Sequence, residues 1–542
     1  MPTLDWIGKE KVINHHHDVP FRVLEHKYGF RADNLEDKSE TRSGNKIIHG
    51  DNLEALKALL PEYEGKIDCI YIDPPYNTGN EGWVYNDNVN DPHIKKWLGE
   101  VVGAEGEDFS RHDKWLCMMY PRLKLLHQLL ASDGIIAVSI NDQELFNLGY
   151  IMNEIFGVSN RLACAPWKAE PSGGKDKTAL RTGHEYVLIY SKGDTKNLVK
   201  EEKSTGKLDK KDKWGRFRKG RELRKWGATS DRKDRENLWF EIKAPNGEFV
   251  VPIKNDGTEG YWRWGKTHPI MKQILENPEY AYWEVCPYDK DVVVDGKTER
   301  LVPFEKIREE KRSFGWNTWL DSYGTNSDAT KEIKTIFGSK IFDTPKPVSL
   351  VEWLISLHGD EDGIVLDSFA GSGVTGHAVL ALNKRENTNR KFILIELEDY
   401  AESITAERMK RVMIGSEQIP SLGGAFDYYE LGAPLFNEDD TLNEEVGEKR
   451  IREYIYYTET REYLTREQSE EYPYLLDYHD GTGYFFYYKK NELTTLSHDT
   501  LNIVPERADY YVIYADTCTI SREQLAKMNI SFKKIPRDIN RF

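Results

Sequence analysis

The sequence predicts an α/β chain: a doubly wound, mostly parallel sheet with an inserted domain and a small α+β domain towards the C-terminal end. Three observations carry this over its 542 residues. Short apolar runs alternate with helical periodicity from Lys46 to Tyr190 and again from Ile341 to Ile414, the pattern of strands covered on both faces by crossover helices. Two of those runs, Ile67 to Ile72 and Gly363 to Leu366, end in compact strings, Asp73-Pro74-Pro75-Tyr76 and Asp367-Ser368-Phe369-Ala370-Gly371-Ser372-Gly373. Both strings therefore fall at the carboxyl edge of one sheet, where open α/β folds bind ligands. Residues 195–335, between the two halves, lose the alternation and become rich in Lys, Arg, Trp and Gly.

Taken in order, residues 1–45 read as an N-terminal arm. Its His15-His16-His17 run suggests no metal, because adjacent imidazoles cannot converge on one ion and no ligand-spaced Cys or acidic cluster joins them. The first half, 46–194, starts with a strand over Lys46 to His49, and Leu53, Leu56, Leu59 and Leu60 then mark a helix face. The strand into Asp73 follows. Trp115, Leu116, Met119, Leu123, Leu126 and Leu130 predict a helix ending at Asp133-Gly134; strands over 134–140 and 185–190 flank a helix over 142–156. The second half, 336–415, has a helix started by Thr344-Pro345-Lys346-Pro347, with Pro347 suited to its first turn. Strands over 363–366 and 392–397 enclose the helix after Gly373. A linker, 416–445, leads to the C-terminal domain, 446–542, with strand-like runs at 484–488 and 510–514.

Composition excludes several classes. With 39% apolar and 12% aromatic residues the chain has enough for real cores. A net charge of −16 argues against a uniformly basic nucleic-acid binder, so charge must be read by segment. Residues 211–235 invert the sign, with Lys and Arg interleaved with Trp214, Phe217 and Trp226. That stretch is either a solvated charged loop or a nucleic-acid surface. The Tyr261-Trp262-Arg263-Trp264 cluster either packs a small core or stacks against bases. The five scattered cysteines fit a reducing cytosol, and no apolar stretch approaches the roughly 18 residues of a membrane span. A cytoplasmic protein is expected.

The two strings carry chemistry. Prolines fix the backbone and remove donors, so Asp73-Pro74-Pro75-Tyr76 offers a purely accepting edge beside an aromatic ring. Such an edge recognises an exocyclic NH2: Asp73 and the Pro74 carbonyl each accept one N–H while Tyr76 stacks on the ring. The small residues after Asp367 let backbone approach a ligand, and Glu396, ending the next strand, is placed for a ribose diol. A nucleoside cofactor is expected. The loop lacks full GxGxxG spacing and a P-loop Lys.

These residues resemble the S-adenosylmethionine-dependent amino-methyltransferases of DNA, whose catalytic motif is (D/N/S)PP(Y/F/W) and whose cofactor motif is FxGxG. The catalytic string precedes the cofactor string, as in their circularly permuted β class. Ile70 to Asn80, His49-Gly50-Asp51-Asn52, Thr344 to Pro347, Trp262-Arg263-Trp264 and the tail 530–539 are further similar to modification subunits of Type III restriction-modification systems. The resemblance implies a methyltransferase sheet in permuted order, with 195–335 as target-recognition domain. It implies that Asp73, Pro74, Pro75 and Tyr76 hold the target amine, and that Asp367, Phe369, Gly371 and Gly373 line the cofactor. Glu396 would take the ribose, Asp51 the adenine end, and Thr344 with Lys346 the methionine carboxylate.

DNA contacts are expected from Arg216, Arg218, Arg221, Arg224, Lys225, Trp262 and Arg263, with the target base flipped out of duplex DNA. Residues 77–108 are a candidate lid or a plain surface loop. The implied reaction is methylation of adenine N6, with N4-cytosine methylation and a recognition subunit with secondary catalysis as alternatives. Asp73 favours adenine, since cytosine enzymes of this type more often carry Ser there. No metal is required. The implied partners are a second copy of the chain and a helicase-nuclease restriction subunit, since no Walker motif or nuclease site is evident. The C-terminal domain is the candidate for docking them.

Overall fold

Strands apolar on both faces form the middle of a sheet, and this is where Ile67–Ile72 lies, with Ile67, Ile70, Tyr71 and Ile72 fully buried. The structure, a computed structural model, describes residues 3–77, 108–172, 179–437, 441–490, 492–504 and 508–535. It divides into two compact units, Met1–Val199 with Asn317–Phe542, and Lys200–Trp316.

The first unit is built on a nine-stranded sheet. Its strands are β1 (Arg22–Arg31), β2 (Lys46–His49), β3 (Ile67–Ile72), β4 (Leu130–Ile140), β5 (Arg161–Trp167), β6 (Glu185–Ser191), β7 (Ile364–Asp367), β8 (Lys391–Glu396) and β9 (Ala425–Pro434). The order is β1-β9-β2-β8-β7-β3-β4-β6-β5. The six strands from β9 to β4 run parallel; β1 at one edge and the β6–β5 pair at the other are antiparallel. The chain leaves β3 towards β4 and leaves β7 towards β8, in opposite directions. The carboxyl ends of β3 and β7 thus meet at the point where a doubly wound sheet opens a crevice.

Helices α1 (Asn52–Tyr63), α2 (Asp108–Leu129), α3 (Leu145–Phe156), α4 (Asn326–Phe337), α5 (Val348–Ile355), α6 (Val374–Glu386) and α7 (Glu407–Ile414) accompany the sheet. The helix predicted to reach Asp133-Gly134 stops at Leu129, because β4 already begins at Leu130 and pairs with Ile67. Pro347 sits at the N-cap of α5 rather than inside it.

Three segments differ from expectation. The N-terminal arm contributes β1, paired along its length with β9 from the expected linker; the Gly and Pro of β9 hid a strand whose Phe426 to Tyr429 are buried. Residues 317–335, assigned to the insertion, belong to the first unit through α4. The C-terminal segment has its own four-stranded sheet, ordered Leu475–His479, Thr482–Phe486, Tyr510–Ala515, Ile530–Lys534. It is nevertheless continuous with the first unit: Tyr454 packs on Phe21 with ring centroids 4.8 Å apart, and Tyr457 hydrogen-bonds Glu64.

The second unit has an antiparallel sheet ordered Tyr282–Pro287, Glu299–Ile307, Gly215–Glu222, Lys210–Asp212. Beside it lies a core of Leu223, Phe240, Ile242, Trp262, Met271 and Ile274. No helix among the described residues is long and apolar enough to cross a membrane.

Candidate active site

A cavity of about 720 Å³ opens at the carboxyl edge, bringing together both strings. Asp73 to Tyr76 line it from the end of β3, Asp367, Phe369 and Gly371 from the end of β7, and Glu396 from the end of β8. The Thr344-Pro345-Lys346 segment also lines it.

At the β3 end, Trp115 of α2, fully buried, donates Nε1–H to the Pro75 carbonyl at 2.7 Å. This holds the Pro-Pro turn from behind and leaves the Pro74 carbonyl without a hydrogen bond among the described residues. Asn77 follows at φ +59° and donates to the fully buried Glu144 carboxylate at 2.5 Å. The expected lid, from there to residue 107, lies outside the described residues, as do residues 536–539 of the tail string.

The side chains form a tight polar group. The Lys346 ammonium donates to Asp73 Oδ2 at 2.8 Å and lies 3.5 Å from Glu185 Oε2 and 4.9 Å from the Tyr76 ring centroid. The Tyr76 hydroxyl is 2.7 Å from Asp73 Oδ1 and 3.0 Å from Glu185 Oε2; its single proton serves one of them at a time. Burial works against the charge on Lys346, but the two carboxylates outweigh it and hold the ammonium above its ordinary pKa. Burial, with both carboxylates nearby, keeps the Tyr76 phenol protonated.

The β7–β8 end is different. Gly371 (φ +51°) and Gly373 (φ +79°) hold left-handed conformations. A Cβ on Gly371 would meet the Phe342 ring at 3.2 Å. Gly373 caps α6 behind the cavity rather than lining it. Glu396 accepts the Gly371 N–H at 2.7 Å and the Glu398 N–H at 3.0 Å. Asp367 accepts the Phe369 N–H at 3.0 Å and the Thr375 hydroxyl at 2.5 Å. Burial pushes both carboxyls up to about 7.

Asp51 lies outside this cavity. Its carboxylate caps α1, accepting from Leu53 and Glu54 N–H at 2.8 and 3.2 Å, and faces Arg122 at 3.3 Å. It lines a neighbouring hollow with Arg22, Glu54 and Glu430. Thr344 lines the main cavity as an exposed residue, and Lys346 is spent on two carboxylates.

In the second unit, Arg216 and Arg221 are exposed, and Arg218, Lys225 and Arg263 are half-buried. Trp262 corrects the expectation of a DNA-facing ring: it is 1% exposed, donates to the Phe240 carbonyl at 2.7 Å and packs in the core. Arg224 is likewise buried, gripping Glu222 at 2.9 and 3.2 Å. Leu223, Arg224, Tyr261 and Trp262 are all buried, and in a basic, aromatic stretch charge alone does not reveal which residues the core takes.

Sequence reasoning missed Glu185, Phe342 and Tyr400, all lining the cavity. Glu185 opens β6, and a first residue belongs to the wrong edge of a parallel strand. Because β6 is antiparallel to β4, its amino end reaches the carboxyl edge of the others. Phe342 and Tyr400, ring to edge at 5.7 Å, flank the glycine loop; Phe342 lies in an irregular segment and Tyr400 at the start of a helical run, so neither is marked by periodicity.

This geometry sets a carboxylate edge opposite a glycine loop with buried acids in one cavity. A family profile described as DNA methylase, for N6 and N4 amino groups, matches residues 67–407, and the chain belongs to that family. It is 32% identical over 428 residues to the Mod subunit of the Type III restriction-modification enzyme EcoPI of Escherichia phage P1, covering 73% of this chain and 64% of that one. It is 33% identical over 382 residues to the Type II methyltransferase M.KpnI of Klebsiella pneumoniae, covering 68% and 84%. A solved structure titled as an M1.HpyAVI–SAM complex aligns over 67% of this chain and 98% of its own at 15% identity, with a TM-score of 0.31. The chain thus spans just under two thirds of the Type III relative's length.

Proposed function

We propose that the chain transfers a methyl group from S-adenosylmethionine to adenine N6 in a short, specific sequence of duplex DNA, as the modification subunit of a restriction-modification system. The observation that carries this reading is that Asp73 and Pro74, whose carbonyl has no hydrogen bond among the described residues, line the same cavity as the Gly371 loop. Family membership and the relatives' names support it.

The chain's residues fit such a cofactor: at Gly371 a Cβ would crowd the Phe342 ring and strain a left-handed backbone, and the buried acids suit a ligand with hydroxyls and a positive charge. S-Adenosylmethionine supplies a methyl on a sulfonium, a good leaving group. The chain supplies orientation. An adenine amine is a weak nucleophile because its lone pair is delocalised, so Asp73 and the Pro74 carbonyl hold both N–H groups and aim the nitrogen. Positioning of this kind contributes roughly 7–11 kcal/mol in favourable systems. The amine would become acidic as it takes the methyl group, and Asp73 is the chain's acceptor for the proton it then gives up, with water as the alternative. Asp73 is an acceptor rather than a strong base. Tyr76 offers its ring to a base flipped out of the duplex. Glu396 takes the ribose hydroxyls on its remaining lone pairs. Asp51, already capping α1, acts by fixing the loop after β2.

The second unit, Lys200–Trp316, is the proposed target reader, with Arg216, Arg218, Arg221, Lys225 and Arg263 as the contacts that remain available. A second copy of the chain and a helicase-nuclease chain are the proposed partners. Modified-base sequencing of DNA from a methylation-free bacterium expressing the chain, beside an Asp73→Ala control, tests the reading. N6-methyladenine at one recurring sequence, absent from the control, supports it; N4-methylcytosine would reassign the base, and unmodified DNA despite folded protein would overturn the enzyme.

A further inference from the structure

A second cavity, of about 540 Å³, lies wholly within the Lys200–Trp316 unit. Its floor is the sheet face of Val302, Phe304 and Cys286, and three arginines, Arg221, Arg263 and Arg300, converge on it. The backbone brings them together: Arg263 N–H donates to the Leu223 carbonyl at 2.7 Å, tying its segment beside the end of the Gly215–Glu222 strand, and Arg300 lies on the Glu299–Ile307 strand of the same sheet.

The only carboxylate lining this cavity, Glu222, is already engaged. It receives Arg224 at 2.9 and 3.2 Å and the Trp226 indole N–H at 2.9 Å and lies 4.0 Å from Arg300, so it leaves Arg221 and Arg263 without a carboxylate partner. Arg300 donates to Asn255 Oδ1 at 2.8 Å and to the Pro287 carbonyl at 3.3 Å. Arg221 and Arg263 have no ion pair or side-chain hydrogen bond among the described residues. Arg263 Nε is moreover buried without a partner. A buried N–H left unpaired is costly, and the terminal nitrogens of the same guanidinium, without a hydrogen bond among the described residues, are the donors that a ligand offering two adjacent acceptors can take.

We infer that this cleft is a subsite for nucleic acid, in which Arg263 and Arg221 receive a paired-acceptor edge beside Arg300, which is held by Asn255 and Glu222. Trp226, 53% exposed with the Arg224 guanidinium 4.5 Å from its ring, stands at the rim as a stacking surface. The inference rests on the methyltransferase reading for the identity of the ligand as DNA. Two sources offer this chemistry, a backbone phosphate and the O6/N7 edge of guanine.

The test uses the full chain and two duplexes, one containing the sequence found modified in cells and one scrambled, titrated across a salt series. Arg263→Ala and the exposed Arg221→Ala are each expected to weaken binding roughly ten-fold or more at fixed salt. Loss on both duplexes, with the salt slope reduced by about one and recovery in Arg263→Lys, assigns a phosphate. Loss confined to the modified sequence, without recovery in Arg263→Lys, assigns a guanine edge. Unchanged affinity in Arg221→Ala, whose exposed side chain removes any folding ambiguity, together with unchanged affinity in folded Arg263→Ala, overturns the subsite. Wild-type protein that binds neither duplex would sink the DNA reading itself, a result distinct from the variants matching a binding wild type.

Discussion

The two ends of the main cavity are both edged by acids at the carboxyl ends of parallel strands, yet their electrostatics are opposite. Asp73, at the β3 end, shares a nearly buried ammonium with Glu185. Asp367 and Glu396, at the β7–β8 end, have backbone N–H groups and hydroxyls but no cation partner among the described residues, and burial lifts them to about 7. What separates them is a single side chain, Lys346, delivered by the segment before α5. A carboxyl with a cation partner stays an acceptor, whereas one with only dipoles around it waits for a ligand to settle its charge.

Breaking the β3 end gives the largest expected effect. Asp73→Ala removes the acceptor that aims the amine and should lower the methylation rate by roughly 10²–10³-fold, with cofactor affinity kept because the β7–β8 end is untouched. Single-turnover methylation beside equilibrium cofactor binding checks this, and a parallel loss of both would mean that the two ends are not separable. Lys346→Met comes next. It strands two carboxylates that are mostly buried, and removing one member of a buried pair costs about 3 kcal/mol or more. Denaturant unfolding should show that loss, and Lys346→Arg should recover only part of it, since the pocket holds a point charge rather than a planar fork.

Much of this contrast was legible in the sequence, and the illegible part has a common cause. Asp73, Tyr76, Phe369, Gly371 and Glu396 stand at the ends of apolar runs, so strand placement alone put them at one edge. Lys346 was visible through its proline-rich string, but its partner was not: the pairing with Asp73 joins residues 273 apart in the chain, and nothing local encodes it. Glu185 escaped because strand direction is not written in a strand. β1 escaped because an edge strand tolerates Gly and charge, and β9, though paired on both sides, because Asp427, Glu430, Gly432 and Pro434 interrupt its apolar run. In the second unit, composition located a basic surface correctly in outline, while the inward turn of Trp262 and Arg224 depended on which face the core took.

The β7–β8 end is sharpened by pH. Glu396 must be ionised to accept ribose hydroxyls strongly, and burial pushes its carboxyl up to about 7. Cofactor binding should therefore weaken as pH falls through 7, by about ten-fold between pH 8 and pH 6. The same raised carboxyls act on stability with the opposite sign. A carboxyl whose folded pKa exceeds its unfolded one makes the free protein lose stability as pH rises from about 4 to 7, after which the contribution is flat. Glu396→Gln should flatten the slope of cofactor binding across this window; a slope that persists in that variant would assign the titration to Asp367 instead.

The smallest effect tests whether Glu185 belongs to the β3 end as a charge or only as an acceptor. Glu185→Gln keeps an oxygen for the Tyr76 hydroxyl and removes the second negative charge near Lys346. The Lys346–Glu185 contact is 3.5 Å with the Glu185 side chain 18% exposed, so solvent screens part of it, and a loss of about 1 kcal/mol is expected on unfolding. Lys346 would then pair with Asp73 alone, drawing on the lone pairs the target amine needs. The turnover rate should fall several-fold with little change in the KM for DNA, and Glu185→Asp should restore part of it. If kcat is unchanged and only stability moves, Glu185 is a packing acceptor for Tyr76, and the charge balance of the β3 end is set by Asp73 and Lys346 by themselves.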